Sequence, residues 1–292
     1  MLGSFEIRTD LALEAREMCE EEGELRGVIV EEEEDPVMEI HTTTVVIESE
    51  NGAKAMGKPV GTYITLEVPK MAEEDEDYHR EISMKIAQHL RKLSGEEIKS
   101  VLIAGLGNRD VTPDALGPRV VSNIYITRHL VREYGQSFIG NNNQMISAIA
   151  PGVMAQTGME TLEILHGVVK ETKPDLVIVI DALAARSTKR LNRTIQITDT
   201  GINPGSGVGN HRNAINKETM GIPVIALGVP TVVDAATIVC DIMGELLEDD
   251  EKRQELREKM SPALNTMFVT PKNIDEDIKR ISFTISEGLN LL

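Results

Sequence analysis

The sequence is poor in aromatic residues, in cysteine and in long apolar runs. Tryptophan is absent and aromatic residues make up only 3% of the chain, so a core must be built from Ile, Val, Leu, Ala and Met. Cys19 and Cys240 are the only cysteines. Two are too few for a disulfide framework or a four-thiolate metal site, which favours a reducing, cytoplasmic compartment. No run approaches the ~18 apolar residues that a membrane span needs, and no apolar core of a secretory signal follows Glu6.

Basic residues are scarce relative to acidic ones. The chain has 30 Lys and Arg against 48 Asp and Glu, which gives a formal net charge of -18 at pH 7. Such a charge repels nucleic acid and acidic membranes and argues against both as direct partners. A basic polypeptide remains a suitable substrate. The length of 292 residues is enough to bury the core of one large α/β domain.

Residues 28–70 are rich in β-branched side chains and predict a small antiparallel β-rich subdomain. Asn51 and Gly52 predict the turn of a hairpin within it. The acidic block Glu31–Asp35 is interpreted as a solvated loop or strand edge. The two predicted strands are Val37–Glu48 and Pro59–Val68.

The rest of the chain alternates between apolar runs and amphipathic stretches. Such alternation predicts an α/β fold, with a mostly parallel sheet and helices on both faces. The predicted helices are Ile7–Glu22, Asp75–Leu93, Asp114–Glu133, Gly158–Val169 and Thr231–Leu247, followed by a packing helix with Ile274, Ile278, Ile281, Ile285 and Leu289 along one stripe. The predicted strands are Val101–Ala104, Met145–Ile149, Leu176–Ile180, Thr194–Thr198 and Pro223–Leu227.

The stretch Val101–Pro118 predicts a functional site. Its apolar strand runs into a turn at Gly105, and a helix should follow with Thr112 as its N-terminal cap. Asp114 would lie in the first turn of that helix, where exposed backbone N–H groups favour a negative charge. This position is the carboxyl end of a parallel strand, where open α/β sheets place their ligand crevices.

Asp181 has the same relation to the strand Leu176–Ile180, since it is the first polar residue after five aliphatic ones. Two carboxylates are therefore predicted to meet at one edge of the sheet. Each also has a structural interpretation, as a residue of a first helical turn or as the beginning of a loop. Asp234 is a third carboxylate near this edge and is interpreted as a structural hydrogen-bonding group.

Two glycine-rich segments border the same edge. Gly105 and Gly107 suggest a dinucleotide-binding loop, but Asp110 stands where that fingerprint needs its third glycine. The segment Gly201–Gly209 lacks the ending of a phosphate loop and is either a plain connection or a backbone-lined wall of a cleft. The candidate cleft residues are Gly105, Gly107, Asn108, Gly205 and Gly207.

The histidines lack the paired spacing of a metal site. His211 is the exception to consider, because its loop lies at the predicted edge. It is an alternative metal ligand together with Asp114 and Asp181. The other histidines are interpreted as surface or internally satisfied residues: His41, His79, His89, His129 and His166.

Five collinear motifs resemble the germination proteases of spore-forming bacteria. They are IRTDLALEAREM (Ile7–Met18), GLGNRDVTPDALGP (Gly105–Pro118), DALAARS (Asp181–Ser187), TIQITDTGINPGSGVGN (Thr194–Asn210) and GIPVIALGVPTVVDA (Gly221–Ala235). The resemblance implies an enzyme that cleaves the small acid-soluble spore proteins that coat DNA in the dormant spore. It also implies a homotetramer in the cytoplasm of the forespore and spore core, with a fold similar to that of hydrogenase maturation endopeptidases.

The resemblance assigns the two essential aspartates of the family to Asp114 and Asp181 and implies an atypical aspartic-type endopeptidase with no metal or cofactor. His211 departs from the family, which often has another basic residue there. A metal-dependent, maturation-type endopeptidase using Asp114, Asp181 and His211 is therefore the alternative within enzymes. A non-enzymatic nucleotide-binding or regulatory module is the alternative from another class.

The two aspartates are expected to activate a water molecule, one as an ionised general base and the other as a protonated general acid. At a separation of about 4 Å and an effective dielectric of about 20, their repulsion is about 4 kcal/mol, so one should keep its proton. Asp114, near a helix N-terminus, is the better candidate for the base.

The resemblance also implies an inactive precursor that processes itself near the N-terminus. The family cuts after Glu and before a large aliphatic or aromatic residue, and Glu6–Ile7 is such a junction. Residues 1–6 are therefore a candidate propeptide, followed by a single α/β peptidase domain at 7–292. For this particular bond, an ordinary disordered terminus is the open alternative.

Overall fold

A computed structural model describes residues 9–20, 26–95, 98–140, 143–205, 213–239, 264 and 267–292. The strands are β1 (Val28–Asp35), β2 (Ile40–Ile47), β3 (Gly61–Glu67), β4 (Ser100–Gly105), β5 (Met145–Ile149), β6 (Leu176–Ala185), β7 (Thr194–Thr198), β8 (Val224–Asp234) and β9 (Phe268–Val269). The helices are α1 (Ala12–Glu20), α2 (Glu50–Met56), α3 (Glu76–Ser94), α4 (Leu116–Val121), α5 (Arg128–Tyr134), α6 (Met154–Thr157), α7 (Thr161–Thr172), α8 (Lys217–Met220) and α9 (Ile274–Asn290). Within these ranges no helix is long and apolar enough to cross a membrane.

All of these strands belong to one mixed sheet with the order β1-β2-β3-β7-β8-β6-β4-β5, and β9 pairs with β8. Strands β8, β6, β4 and β5 are parallel neighbours and form its core. Strands β1, β2, β3 and β7 extend the sheet in antiparallel pairings up to β8. The predicted α/β class, with a mostly parallel core and helices on both faces, is confirmed.

Alternate residues of the central strand β4 serve two different cores, as the period of two in a strand requires. Val101 and Ile103 pack with α3, α4 and α9 on one face. Leu102 and Ala104 pack with Leu165 of α7 on the other face. The predicted isoleucine and leucine stripe of α9 is buried throughout, which confirms its packing role.

The predicted β-rich region is antiparallel, but its connection differs from the prediction. Asn51 and Gly52 lie in helix α2, which is capped by the side chain of Ser49, and do not form a hairpin turn. The acidic block lies in β1, which is exposed and pairs with β2 at the end of the sheet that the described residues form, so the prediction of a solvated strand edge is confirmed. Strand β3 pairs with β7 of the same sheet, antiparallel to it. The domain boundary at residue 6 and a β-rich subdomain at about 28–70 stay predictions.

The predicted helix Asp114–Glu133 is wrong, because the chain forms a 3-10 turn at Thr112–Asp114 and then two short helices, α4 and α5. Between these helices the Tyr125 N–H donates to the side chain of Asn290, and the Thr127 N–H to the carbonyl of Ile146. Those amides are therefore unavailable to a continuous helix. The Thr112 hydroxyl donates to Asp275 of α9 and does not cap a helix.

Two strands are longer than predicted. Strand β6 continues past Ile180 to Ala185, and β8 continues past Leu227 to Asp234, because the two strands stay paired to Ala185 and Val233. Asp181 is therefore inside a strand and not after one. The helix predicted from Thr231 begins only at residue 235 and is described to 239.

Candidate active site

The site forms where β4 leaves the sheet while its neighbour β6 continues. The last pair between them joins Gly105 and Ile180. A Cβ atom on Gly105 would lie 2.1 Å from the carbonyl oxygen of Gly117, so the two backbones could not approach with larger residues. Strands β5 and β6 lie on opposite sides of β4, and such a switch point is where open sheets bind ligands.

Asp114 is positioned by the turn that follows β4. It ends the 3-10 turn, and its carboxylate oxygen Oδ2 accepts a hydrogen bond of 2.7 Å from the Asn108 N–H. Gly107 has φ +104°, and a Cβ atom there would lie 2.0 Å from the Asp114 carbonyl oxygen. The Thr231 hydroxyl of β8 donates to the neighbouring Pro113 carbonyl at 2.7 Å. Two contacts thus hold the turn: the close approach of Gly107 to Asp114 and the hydrogen bond from Thr231 of β8.

Asp181 is positioned by β6 itself. It lies opposite Gly228 of β8, and only 6% of its surface is exposed. Its Oδ1 accepts a hydrogen bond of 3.0 Å from the Ala182 N–H. Alternation along the strand places it on the same face as Val177 and Val179, which belong to the core beneath α7.

Both aspartates line one cleft of ≈ 450 Å³. A volume of this size suits a segment of a peptide or another small ligand. Gly107 and Gly205 also line it, whereas Gly105 packs against Gly117 of α4 and Asn108 donates its N–H to Asp114. The structure therefore brings together the two residues that the sequence predicts to meet. Other residues along its walls are Asp10, Lys58, Tyr63, Val111, Ala182, Leu183, Ala184, Gln196 and Phe268.

The segment before α1 forms a wall of the cleft that sequence reasoning missed. The Asp10 N–H donates to the Ala184 carbonyl at 3.0 Å, and the Asp10 carboxylate accepts from the Ala184 N–H at 2.9 Å. The Lys58 ammonium donates to the carbonyls of Thr9 and Asp10, each at 3.0 Å. Burial lowers the pKa of Lys58, while Asp10 and Glu14 oppose that effect. The segment is thus tied to β6 and to the end of α2.

Glu14 of α1 is a second residue that the sequence did not single out. It is 2% exposed, and its carboxylate accepts from the N–H groups of Arg186 at 2.7 Å and Ser187 at 3.0 Å. These amides follow directly after the end of β6. Asp10 and Glu14 are four residues apart, Asp10 just before α1 and Glu14 in its first turn. That spacing was the available sequence signal, but their partners lie more than 170 positions away.

Several other predicted residues have a clear placement. Asp234 accepts from the N–H groups of Ala236 and Thr237, which confirms its structural role at the start of the helical stretch. His79 is satisfied by Thr284 and Glu73, but the Nδ1 atom of His89 is buried with no hydrogen-bond partner among the described residues. His211, Gly207, Glu6 and Ile7 lie outside the described residues. Within the described part, no group of three or more His, Cys, Asp or Glu is arranged to hold a metal ion.

The family model and the curated relatives that match this chain carry the same description. The family model described as germination protease matches residues 6–248. The germination protease of Caldanaerobacter subterraneus subsp. tengcongensis is 49% identical, over 98% of this chain and 93% of the relative. That of Clostridium perfringens (strain ATCC 13124) is 44% identical, over 98% and 95%, and that of Bacillus cytotoxicus 39%, over 99% and 94%.

Among solved structures, a NiFe hydrogenase maturation protease of Thermococcus kodakarensis KOD1 aligns over 69% of this chain and 98% of its own, with 18% identity and a TM-score of 0.35. The family assignment rests on the sequence matches, which extend over nearly the whole chain and include the segments that carry Asp10, Asp114 and Asp181. The resemblance noted in the five motifs is confirmed, and the chain belongs to the germination protease family.

Proposed function

We propose that this peptidase degrades small acid-soluble spore proteins during germination, and that Asp114 and Asp181 activate the attacking water. The observation that carries the proposal is that both carboxylates line one cleft, at the point where β4 separates from β6. Relatives named germination protease support the peptidase activity. The acidic character of the chain favours a basic polypeptide substrate.

The surroundings of the two carboxylates support different roles. Each carboxylate accepts a backbone N–H, Asp114 from Asn108 and Asp181 from Ala182, so the difference between them is burial: Asp114 is only half-buried, which suits the ionised form that a general base needs. Asp181 is almost fully buried, and burial favours the protonated form that a general acid needs. Asp114 would take a proton from water as the water oxygen attacks the peptide carbonyl carbon. Asp181 would give its proton to the carbonyl oxygen. Asp114 would then pass the proton taken from water to the leaving nitrogen as the C–N bond breaks, and the intermediate would return a proton to Asp181 as the new carboxyl group forms.

The proposed self-processing at Glu6–Ile7 is consistent with the position of Asp10. Asp10 lines the cleft and is three positions after Ile7 in the sequence. An extended chain spans at most ~3.6 Å per residue, so about 11 Å of chain joins the two. N-terminal sequencing of incubated precursor tests the bond. A product that begins at Ile7 supports it, whereas a product with another N-terminus removes Glu6–Ile7 from the scheme.

The homotetramer and the spore-core location belong to the same proposal. The resemblance to the family supports both, and the cysteine-poor composition separately suits a reducing cytoplasm. Sedimentation of the purified protein measures the oligomeric state directly. A monomer at the concentration that supports turnover would contradict the tetramer without affecting the chemistry.

The decisive experiment is digestion of a small acid-soluble spore protein by the purified protein with a chelator present. Wild-type protein should cleave it, and the Asp181→Asn variant should not. The matched control is Asp110→Asn, because Asp110 is exposed in the turn that carries Asp114 but does not line the cleft. Loss of cleavage with chelator, restored by added metal, would instead support the metal-dependent alternative that includes His211.

A further inference from the structure

Strand β6 has an open edge beside Asp181. Its pairing with β4 ends at Ile180, whereas its pairing with β8 continues to Ala185. From Asp181 onward, the side of β6 that faced β4 has no partner strand among the described residues. This edge lies on the cleft, because Ala182, Leu183 and Ala184 all line it.

Every second residue of β6 turns its backbone N–H and carbonyl groups toward this edge. The Ile180 carbonyl accepts from the Leu106 N–H at 2.8 Å, and the N–H and carbonyl of Ala184 bond to Asp10. Residues two apart in a strand turn their backbone groups to the same side. Ala182 lies between these two positions, so its N–H and carbonyl face the same edge.

Ala182 is also the one residue of β6 that is not buried. Its N–H donates to Oδ1 of Asp181, which places that carboxylate beside the edge. At Ala184 the same edge already bonds to another segment of the chain, since Asp10 donates there through its own N–H and accepts through its carboxylate. The edge therefore accepts a backbone partner at Ala184, two residues beyond Ala182.

We propose that the substrate binds as an extended strand along this edge, with one of its backbone N–H groups donating to the Ala182 carbonyl. Addition of a strand to an open sheet edge is a common way to bind peptides, because the bonds are made by the main chain. The proposal rests on the proposed function. It places the bound peptide between Asp181, on β6, and Asp114, on the turn that takes the place of β4.

The test uses a short peptide that spans a bond mapped in the spore-protein digest. Each backbone amide except the scissile one is replaced in turn by an ester, which removes one N–H donor and keeps the shape of the chain. Binding is measured to the Asp114→Asn variant. One ester should weaken binding about tenfold, as expected for the loss of a single hydrogen bond, and its neighbours should change it little.

A second measurement ties that position to Ala182. Protein labelled with ¹³C at alanine carbonyls and ¹⁵N at leucine gives an NMR signal for the Ala182–Leu183 peptide group. That signal is identified as the one that the Leu183→Met variant lacks. The Ala182 carbonyl signal should shift when the parent peptide is added. It should not shift when the peptide carries the ester that weakens binding.

Two results would overturn the proposal. They are equal binding of all the esters, and an Ala182 signal that does not respond to a peptide which the wild-type protein cleaves. In both cases the proposed function stands, since cleavage is still observed. If the wild-type protein cleaves neither the spore protein nor the peptide, the proposed function fails first.

Discussion

A Cβ atom on Gly107 would lie 2.0 Å from the carbonyl oxygen of Asp114. No real side chain tolerates that distance, so glycine at 107 is a condition for the observed position of Asp114. The turn that follows β4 thus depends on the close approach of the Gly107 and Asp114 backbones as well as on the aspartate side chain.

We predict that Gly107→Ala shifts Asp114 and lowers kcat about 100-fold, because a displacement of about 1 Å at a reacting group has an effect of this size. The control is Gly135→Ala. Gly135 also has a positive φ, +83°, but its Cβ would meet nothing within 4 Å. Both variants carry backbone strain of about 1–3 kcal/mol from their positive φ, so equal activity of the two would contradict the role of the contact.

Glu14→Gln should lower the free energy of unfolding by about 1–3 kcal/mol. The amide has one acceptor oxygen where the carboxylate has two, so it loses one of the part-buried hydrogen bonds from the N–H groups of Arg186 and Ser187. Glu17→Gln is the matched control on the same helix, since Glu17 is half exposed and its ion pair with Arg190, at 2.6 Å, is open to solvent. Urea unfolding should change by no more than about 0.5 kcal/mol for the control. Equal losses would mean that burial of Glu14 is unimportant.

Lys58→Met should loosen the segment that carries Asp10. The thioether has no donor for the carbonyls of Thr9 and Asp10, so local opening should become easier by about 1–3 kcal/mol. Hydrogen exchange at the amides of Asp10 and Ala12 should then be about 10- to 100-fold faster. Lys54→Met, at an exposed site of α2, should leave exchange at both amides unchanged. Unchanged exchange in Lys58→Met would show that the ammonium does not hold the segment.

Stability should decline as the solution becomes acidic, in part through His89. Burial, and then the charges of Lys92 and Lys85, lower the pKa of His89 below its ordinary value of 6.5. Below about pH 6.5 the unfolded chain therefore binds a proton that the folded chain does not, and unfolding is favoured as the pH falls. Unfolding free energies measured between about pH 7.5 and pH 5.5 should decrease less steeply for His89→Gln than for wild type. Parallel curves would remove His89 from the acid response.

That Asp114 and Asp181 line one cleft could be predicted, because the apolar runs Val101–Ala104 and Leu176–Ile180 read as neighbouring parallel strands whose carboxyl ends share one edge of the sheet. The full length of β6 could not, since its extension to Ala185 depends on pairing with β8. The break between α4 and α5 depends on Asn290, at the far end of the chain. Asp10, Glu14 and Lys58 were missed for the same reason, because their roles depend on backbone groups that only the fold brings near.

The central claim is that Asp114 and Asp181 act together on one water. It is tested most directly by kcat for spore-protein cleavage in Asp114→Asn, Asp181→Asn and the double variant. Each single substitution should lower kcat by about 10²- to 10⁴-fold. The double variant should be no slower than the slower single variant, because residues that act as a unit are not additive. Losses that multiply in the double variant, or wild-type turnover in either single variant, would contradict the claim.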